Sequence, residues 1–126
     1  MIDGILGIDV SKNTLDVSIS SCNKVRTKSF ANTSDGWHHL LDWLVALKIQ
    51  RVHACLESTG RYSLGIACAL YEAGHIVSII NPAQVRDFVR TKLGRNKTDG
   101  IDALRIRGYC ELFKPLPWAP PSCTFR

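Results

Sequence analysis

The amino-acid sequence predicts an α/β fold in which a mixed five-stranded sheet is flanked by helices. Short apolar runs of strand length recur along the chain, amphipathic helical segments separate the later runs, and a tight polar turn joins the first two. Hairpins followed by right-handed strand-helix-strand crossovers give a mixed sheet covered by helices. The 126 residues, 45% of them apolar, are enough for one domain with its own core.

The first half of the chain is predicted to form three strands and one helix. The first apolar run is nearly continuous, whereas the second alternates apolar and polar residues. Residues 32–36 (NTSDG) offer capping oxygens for a helix that ends near Leu47. Trp37 and Trp43 lie on this helix and are interpreted as structural residues. The three strands are expected at residues 5–10, 15–20 and 25–30.

The second half is predicted to alternate strands with helices. Gly74 is expected to close a helix, and Asn81-Pro82 to begin another, because proline suits the first helical turn. Four prolines between residues 115 and 121 then exclude helix and leave an extended tail. We expect strands at 52–57 and 75–80, helices at 62–73 and 99–113, and a basic loop at 93–98.

Positive charge is concentrated in the last third of the chain. The formal net charge is +5, and residues 85–114 contain eight Lys or Arg against four Asp or Glu. Such a cluster is typical of polyanion binding, although a solvated helical surface is the alternative. The candidate nucleic-acid contacts are Lys12, Arg86, Arg90, Arg95, Lys97 and Arg105.

Composition excludes several other classes of protein. No apolar run approaches the roughly 18 residues of a membrane span, and the first residues do not resemble a secretory signal, so we expect a cytoplasmic protein without membrane association. The five cysteines form an odd set with no CxxC motif and no histidine at a ligand spacing to them. We therefore expect reduced, mostly buried thiols at Cys22, Cys55, Cys68, Cys110 and Cys123.

Two acidic residues fall on predicted strands where carboxylates are costly to bury. Asp9 interrupts the first apolar strand and Glu57 ends the fourth. If these strands pair in parallel, both acids lie at the sheet edge where α/β folds place their ligands. Each has an ordinary alternative, Asp9 as a turn residue and Glu57 as a solvated strand end.

Two further acids begin the last predicted helix. Asp99 and Asp102 are three residues apart and share a helix face, which is not the face of Ile101, Leu104 and Leu112. Favourable placement at the positive end of the helix dipole is the alternative role. If all four acids converge, their mutual repulsion calls for a cation, and carboxylate oxygens suit Mg²⁺ or Mn²⁺. Two such ions can assist phosphodiester displacement.

Several motifs, in order along the chain, resemble the N-terminal domain of the DEDD insertion-sequence transposases, the bridge-RNA-guided recombinases. They are GIDVSKNTLDVSI, the AsnThr with following Gly and Leu before the first helix, CLESTGRY, VSIINPAQVRDF and RNKTDGIDALRI. The resemblance extends from about residue 5 to residue 121. It implies a RuvC-like, ribonuclease H-like fold with Mg²⁺ or Mn²⁺ bound by four catalytic acids, Asp9, Glu57, Asp99 and Asp102.

The resemblance also implies a DNA transposase or recombinase that breaks and rejoins DNA at sites chosen by a structured guide RNA. Its covalent nucleophile is a serine from a separate C-terminal domain, for which Ser11, Ser58 and Ser63 are not candidates. We expect a RuvC-like domain at residues 1–114 and a proline-rich connector segment at 115–126. The chain would then bind DNA, RNA and metal, form a homo-oligomer, and be incomplete for recombination alone.

Two other functions remain open from the sequence. GIDVSKNTLDVSI also resembles the phosphate-binding hairpin of sugar-kinase or actin-type ATP-binding domains, but these need a second lobe and a later AspGly phosphate loop. A non-catalytic RNA- or DNA-binding or assembly module is the other alternative. In such a module the acids cap helices and the basic region contacts a guide RNA or a second protomer.

Overall fold

A computed structural model of the chain describes residues 2–57, 60–81, 83 and 103–120. It confirms the predicted α/β class, a five-stranded mixed sheet flanked by helices. The strands are β1 (Gly4–Val10), β2 (Thr14–Ser21), β3 (Lys24–Ala31), β4 (Val52–Glu57) and β5 (Ile76–Ile80). The helices are α1 (Ser34–Ala46), α2 (Arg61–Glu72) and α3 (Ala103–Phe113). Apart from residue 83, which is helical, the helix predicted after Asn81-Pro82 lies outside the described residues, as do the loop at 93–98 and residues 99–102.

The strand order is β3-β2-β1-β4-β5, with the apolar strand β1 at the centre. β1, β2 and β3 pair as antiparallel neighbours, whereas β1, β4 and β5 run parallel. In the parallel pair, Gly7 lies opposite Cys55 and Ile8 opposite Leu56. The predicted pairing of the first and fourth strands is therefore correct, and their carboxyl ends meet at one edge of the sheet.

The larger core lies between one face of the sheet and helices α1 and α2. Leu6, Ile8 and Leu56 are fully buried on the sheet side, and Leu40 and Ile66 on the helix side. Both tryptophans of α1 have structural roles, as predicted. Their rings pack against this core, with Trp43 tilted against the Phe30 ring at 5.6 Å between centroids.

The opposite face of the sheet is covered by α3, which lies directly against the backbone of β1. An added Cβ at Gly7 would overlap the α3 backbone at Ala103 and Arg107, so glycine allows this close approach. The helix buries Ala103, Ile106 and Cys110 against the sheet. Leu104 and Leu112, which the sequence grouped on the apolar side of this helix, are 45% and 57% exposed.

Asn32 connects three elements near the carboxyl edge of the sheet. Its Nδ2 donates to the carbonyl oxygens of Ser11 at 2.9 Å and Tyr62 at 3.0 Å, and its Oδ1 accepts from Trp37 Nε1 at 2.8 Å. Ser11 follows β1, and Tyr62 lies in the first turn of α2. The adjacent Thr33 caps α1 by accepting from Gly36 N at 3.1 Å, as predicted. Asn32 thereby links the turn after β1 to the first turn of α2.

Residues 114–120, which follow α3, are not helical and lie along the β5 edge. Trp118 N donates to Val77 O at 2.6 Å, and the Trp118 ring meets Tyr71 edge to face. Ser78 Oγ lies 3.1 Å and 2.8 Å from the carbonyl oxygens of Pro115 and Leu116. The proline-rich segment through residue 120 is thus fastened to the domain. In the described part of the chain, no helix is both long and apolar enough to cross a membrane.

Replacing Gly7 with alanine should destabilise the domain, because the added Cβ would collide with the α3 backbone rather than with a flexible side chain. Overpacking of this kind costs about 1–3 kcal/mol in the free energy of unfolding. Urea denaturation followed by circular dichroism measures the change. An unaltered unfolding midpoint would contradict the close contact between α3 and β1.

Replacing Asn32 with alanine should lower the free energy of unfolding by about 1–3 kcal/mol, because three hydrogen bonds are lost together. Asn13→Ala is a matched control, since Asn13 contributes only its backbone carbonyl to the described hydrogen bonds. Urea denaturation of both variants tests this role. Equal stability of the two variants would show that the Asn32 side chain does not hold the β1–β2 turn against α2.

Candidate functional site

Asp9 and Glu57 lie side by side at the carboxyl ends of the two central parallel strands. Asp9 follows Ile8 and Glu57 follows Leu56, and Ile8 and Leu56 are register partners. Both acids are half-buried, and the Glu57 Oε2 atom is shielded from solvent. Strand alternation places Asp9 on the same face as Gly7, where α3 packs. The structure therefore brings together the two strand acids predicted from the sequence.

A third carboxylate lies next to this pair. Asp16 on β2 is the register partner of Asp9, so the two side chains project from the same face of the sheet. Asp16 Oδ1 accepts a hydrogen bond of 2.6 Å from Ser29 Oγ on β3. Asp16 is not among the acids predicted for the site from the sequence. The alternation in LDVSI, together with the short turn after Asp9, was the signal that could have placed it there.

The two helix acids, Asp99 and Asp102, lie outside the described residues. Asp102 directly precedes Ala103, the first residue of α3 in the structure. Ala103 lies against Gly7, and Gly7 is two residues before Asp9 on β1. The chain thus continues from Asp102 into the contact between α3 and β1. The convergence of all four acids remains a prediction.

Only two of the six predicted nucleic-acid contacts fall in the described part of the chain. Lys12 is exposed in the turn between β1 and β2, three residues after Asp9. Arg105 on α3 is half-buried, with its Nε atom shielded from solvent. The other four lie outside the described residues: Arg86, Arg90, Arg95 and Lys97.

The described serines near the acids have local structural roles. Ser11 Oγ lies 2.8 Å from Thr14 Oγ1 within the turn after β1. Ser63 is buried and its Oγ donates to Gly60 O at 3.1 Å at the start of α2. Ser58 lies outside the described residues. The Ser11 hydroxyl therefore belongs to the turn, and the Ser63 hydroxyl to the first turn of α2, whose N-cap is Gly60 without a side-chain cap.

The cysteines differ from the expectation in two respects. All four described cysteines are free thiols, but only Cys55 and Cys110 are buried, whereas Cys22 is exposed and Cys68 is half-buried. Cys123 lies outside the described residues. Cys55 and Cys110 also meet His53, and the ligand atoms of all three lie within 4.8 Å of one another. The expectation that no histidine has a ligand spacing to a cysteine was wrong, because residues i and i+2 of a strand share a face.

The chemistry of the strand acids fits a hard divalent cation. Adjacent carboxylates repel one another, and burial of one oxygen of Glu57 strengthens that repulsion by lowering the local dielectric. Carboxylate oxygens are the donors that Mg²⁺ and Mn²⁺ prefer. The donor set at the sheet edge is therefore suited to Mg²⁺ or Mn²⁺ rather than to a thiophilic metal.

Comparison with known proteins gives consistent results. The family model of the IS110-type DEDD transposases, described as Transposase, matches residues 6–117. Pilin gene-inverting proteins of Moraxella bovis and Moraxella lacunata are each 31% identical over 119 residues, which is 93% of this chain and 37% of theirs. The chain therefore spans little more than a third of the length of these curated relatives.

The fold also resembles a solved structure. Thermus thermophilus RuvC, solved in complex with a Holliday junction substrate, matches with a TM-score of 0.57 and 16% identity over 91% of this chain and 99% of that one. This likeness supports the predicted ribonuclease H-like architecture. The family match decides against the sugar-kinase or actin-type alternative. The chain belongs to the IS110-type family of DEDD transposases and adopts a RuvC-like fold.

Proposed function

We propose that this domain provides the acidic half of a DNA transposase active site, which cleaves and transfers phosphodiester strands with the help of Mg²⁺ or Mn²⁺. The observation that carries the proposal is the juxtaposition of Asp9 and Glu57 at the carboxyl ends of β1 and β4. Family membership and the RuvC-like fold support the same reaction class. Asp99 and Asp102 would complete the set of four catalytic acids.

In this proposal the carboxylates bind the cation and set its position relative to DNA. Asp9 and Glu57 are fixed by the backbone hydrogen bonds of neighbouring strands, so their separation is set before the substrate arrives. When bound, the metal would activate an attacking oxygen and stabilise the leaving oxygen of the phosphodiester. Asp99 and Asp102 would contribute further oxygen ligands from the segment that leads into α3.

Basic residues around the acids would bind the nucleic-acid backbone. Lys12 is exposed beside the carboxyl edge of the sheet, whereas Arg105 is half-buried and its Nε atom is shielded from solvent. A phosphate placed over the acids would lie within the field of Lys12, which offsets the repulsion between phosphate and carboxylates. Lys12 is therefore the best described candidate for backbone contact. Arg86, Arg90, Arg95 and Lys97 would extend this surface.

The domain would act together with parts of the protein outside this chain. Its described serines near the acids serve the turn and the helix start, which agrees with a nucleophilic serine supplied by a separate domain. A structured guide RNA and a second protomer are the further partners of this proposal. The RuvC relative, captured on a Holliday junction, supports branched DNA as the substrate class.

Asp9→Asn and Glu57→Gln should each weaken Mn²⁺ binding by about tenfold or more, because a negative oxygen ligand is replaced by a neutral one, and tenfold corresponds to about 1.4 kcal/mol. Calorimetric titration in the presence of a branched DNA oligonucleotide measures the affinity. Asp42→Asn is the control, since this exposed acid lies on α1. Mn²⁺ binding unaffected by both site changes would favour the non-catalytic module.

Lys12→Ala should weaken DNA binding and reduce the slope of log affinity against log salt by about one, because one phosphate contact is lost. Lys24→Ala is the matched control, since Lys24 is exposed at the β2–β3 turn, at the opposite end of the sheet. Fluorescence anisotropy over a series of salt concentrations gives both slopes. If the two variants behave alike, the DNA surface does not include the β1–β2 turn.

A further inference from the structure

We propose that His53, Cys55 and Cys110 form a Zn²⁺-binding site that fastens α3 to the sheet. The site lies under α3 and differs from the carboxylate edge in its ligand atoms, which are sulfur and nitrogen instead of oxygen. One nitrogen and two sulfur atoms lie within 4.8 Å of one another. Cys55 and Cys110 are 0% exposed and His53 is 9% exposed, so the three side chains face one another inside the fold.

The strand geometry explains why these side chains meet. His53 and Cys55 are two residues apart on β4 and therefore project from the same face of the sheet. Cys110 lies on the buried side of α3, which packs on that face. The Cys110 sulfur is 3.8 Å from the His53 carbonyl oxygen, so the helix and the strand are already in contact here.

The hydrogen bonds of His53 leave one ring nitrogen for a ligand. His53 Nε2 lies 2.8 Å from Ser78 Oγ. Ser78 has one hydroxyl hydrogen, and the carbonyl oxygens of Pro115 and Leu116 lie within hydrogen-bonding distance of it. Ser78 therefore donates to a carbonyl and accepts from His53 Nε2, which places the proton on Nε2 and leaves the Nδ1 lone pair available. Metal-bound histidines usually have their second nitrogen held in this way.

The two buried sulfur atoms lie next to each other, which also suits a bound cation. The Cys55 thiol donates toward the Cys110 sulfur, and this contact lowers the pKa of the Cys110 thiol while burial opposes the shift. The pKa of Cys55 is raised, chiefly because its thiol donates to Cys110 and because it is buried. A cation bound between the two sulfurs would offset the cost of a buried thiolate.

The donor set selects the class of metal. Thiolate sulfur and imidazole nitrogen suit Zn²⁺, whereas Mg²⁺ and Mn²⁺ prefer carboxylate oxygens. In tetrahedral zinc sites, Zn–S bonds of about 2.3 Å place two sulfurs roughly 3.8 Å apart. The three ligand atoms are within 4.8 Å, so modest side-chain rotation is enough to reach that geometry. Three protein ligands leave a fourth position for water, as in other zinc sites with three protein ligands.

Zinc at this position would fix the helix that follows Asp102. Cys55 is two residues before Glu57 on the same strand, and Cys110 is on the helix whose start lies against Gly7. A metal ion bound by both cysteines would hold α3 in a fixed position against β4, close to the carboxylate edge. The role is structural positioning, and it goes beyond the proposed function because it needs neither DNA nor the acids.

The test is titration of the reduced full chain with Co²⁺, which replaces Zn²⁺ and reports thiolate ligation by a sulfur-to-cobalt charge-transfer band. We expect one equivalent to bind, Zn²⁺ to displace it, and Zn²⁺ to raise the melting temperature of the wild type. Cys110→Ser should lower the Co²⁺ affinity at least about a hundredfold, because a thiolate ligand is lost. Cys22→Ser, which removes an exposed thiol, should leave binding unchanged.

A second variant covers the case in which Cys110→Ser does not fold. His53→Ala removes the nitrogen ligand while both buried thiols remain, and it should shift the cobalt bands and weaken binding. Circular dichroism of each variant shows whether the fold is kept. The proposal is overturned if the reduced wild type gives no charge-transfer band, or if folded Cys110→Ser or His53→Ala binds as tightly as wild type. Asp9→Asn should keep the cobalt bands, because Asp9 is not a ligand of this site. The failure of one metal site can therefore be distinguished from the failure of the other.

Discussion

The contact between α3 and the backbone of β1 at Gly7 is the constraint on which the arrangement of this domain depends. A side chain at position 7 would displace the helix, because the nearest atoms belong to the α3 backbone. The contact is reinforced by Arg107, whose Nε donates to the buried Ser18 Oγ on β2 at 3.0 Å. Close packing at this one point brings the start of α3 to the strand with Asp9, and brings Cys110 to the strand with Cys55.

The face under α3 differs in kind from the face under α1 and α2. The face under α1 and α2 carries a continuous apolar core. The face under α3 carries carboxylates at the strand ends and, earlier in β4, a histidine and a cysteine. Polar groups on a buried face cost free energy unless they are paired or bind a cation. The concentration of such groups on one face is consistent with a site there, while the opposite core stabilises the sheet that positions them.

Much of the fold could be predicted, because strand alternation and helix capping are local properties of the sequence. Thr33 caps α1 and Glu57 ends β4 where the pattern indicated. The adjacency of Asp9 and Glu57 required one non-local assumption, parallel pairing of the first and fourth strands, which the central apolar strand favoured. The positions of Asp16 beside Asp9 and of Cys110 beside Cys55 were missed, because they depend on which residues lie opposite each other after folding.

The burial of α3 shows why helix faces are harder to predict than helix bounds. The large apolar residues Leu104 and Leu112 suggested one face, yet the helix turns Ala103, Ile106 and Cys110 toward the sheet. The amphipathic pattern alone contains no information on interaxial distance. The glycine in the middle of an apolar strand was the available signal of a close approach.

The central claim is that Asp9, Glu57, Asp99 and Asp102 hold a divalent cation beside DNA. The most direct measurement is anomalous scattering from Mn²⁺ in crystals of this chain grown with a branched DNA duplex. The account predicts a manganese peak within about 2.0–2.6 Å of carboxylate oxygens of Asp9 and Glu57, with Asp99 or Asp102 in the same coordination sphere. A manganese peak elsewhere on the chain, or Asp99 and Asp102 ordered and directed away from β1 and β4, would contradict it.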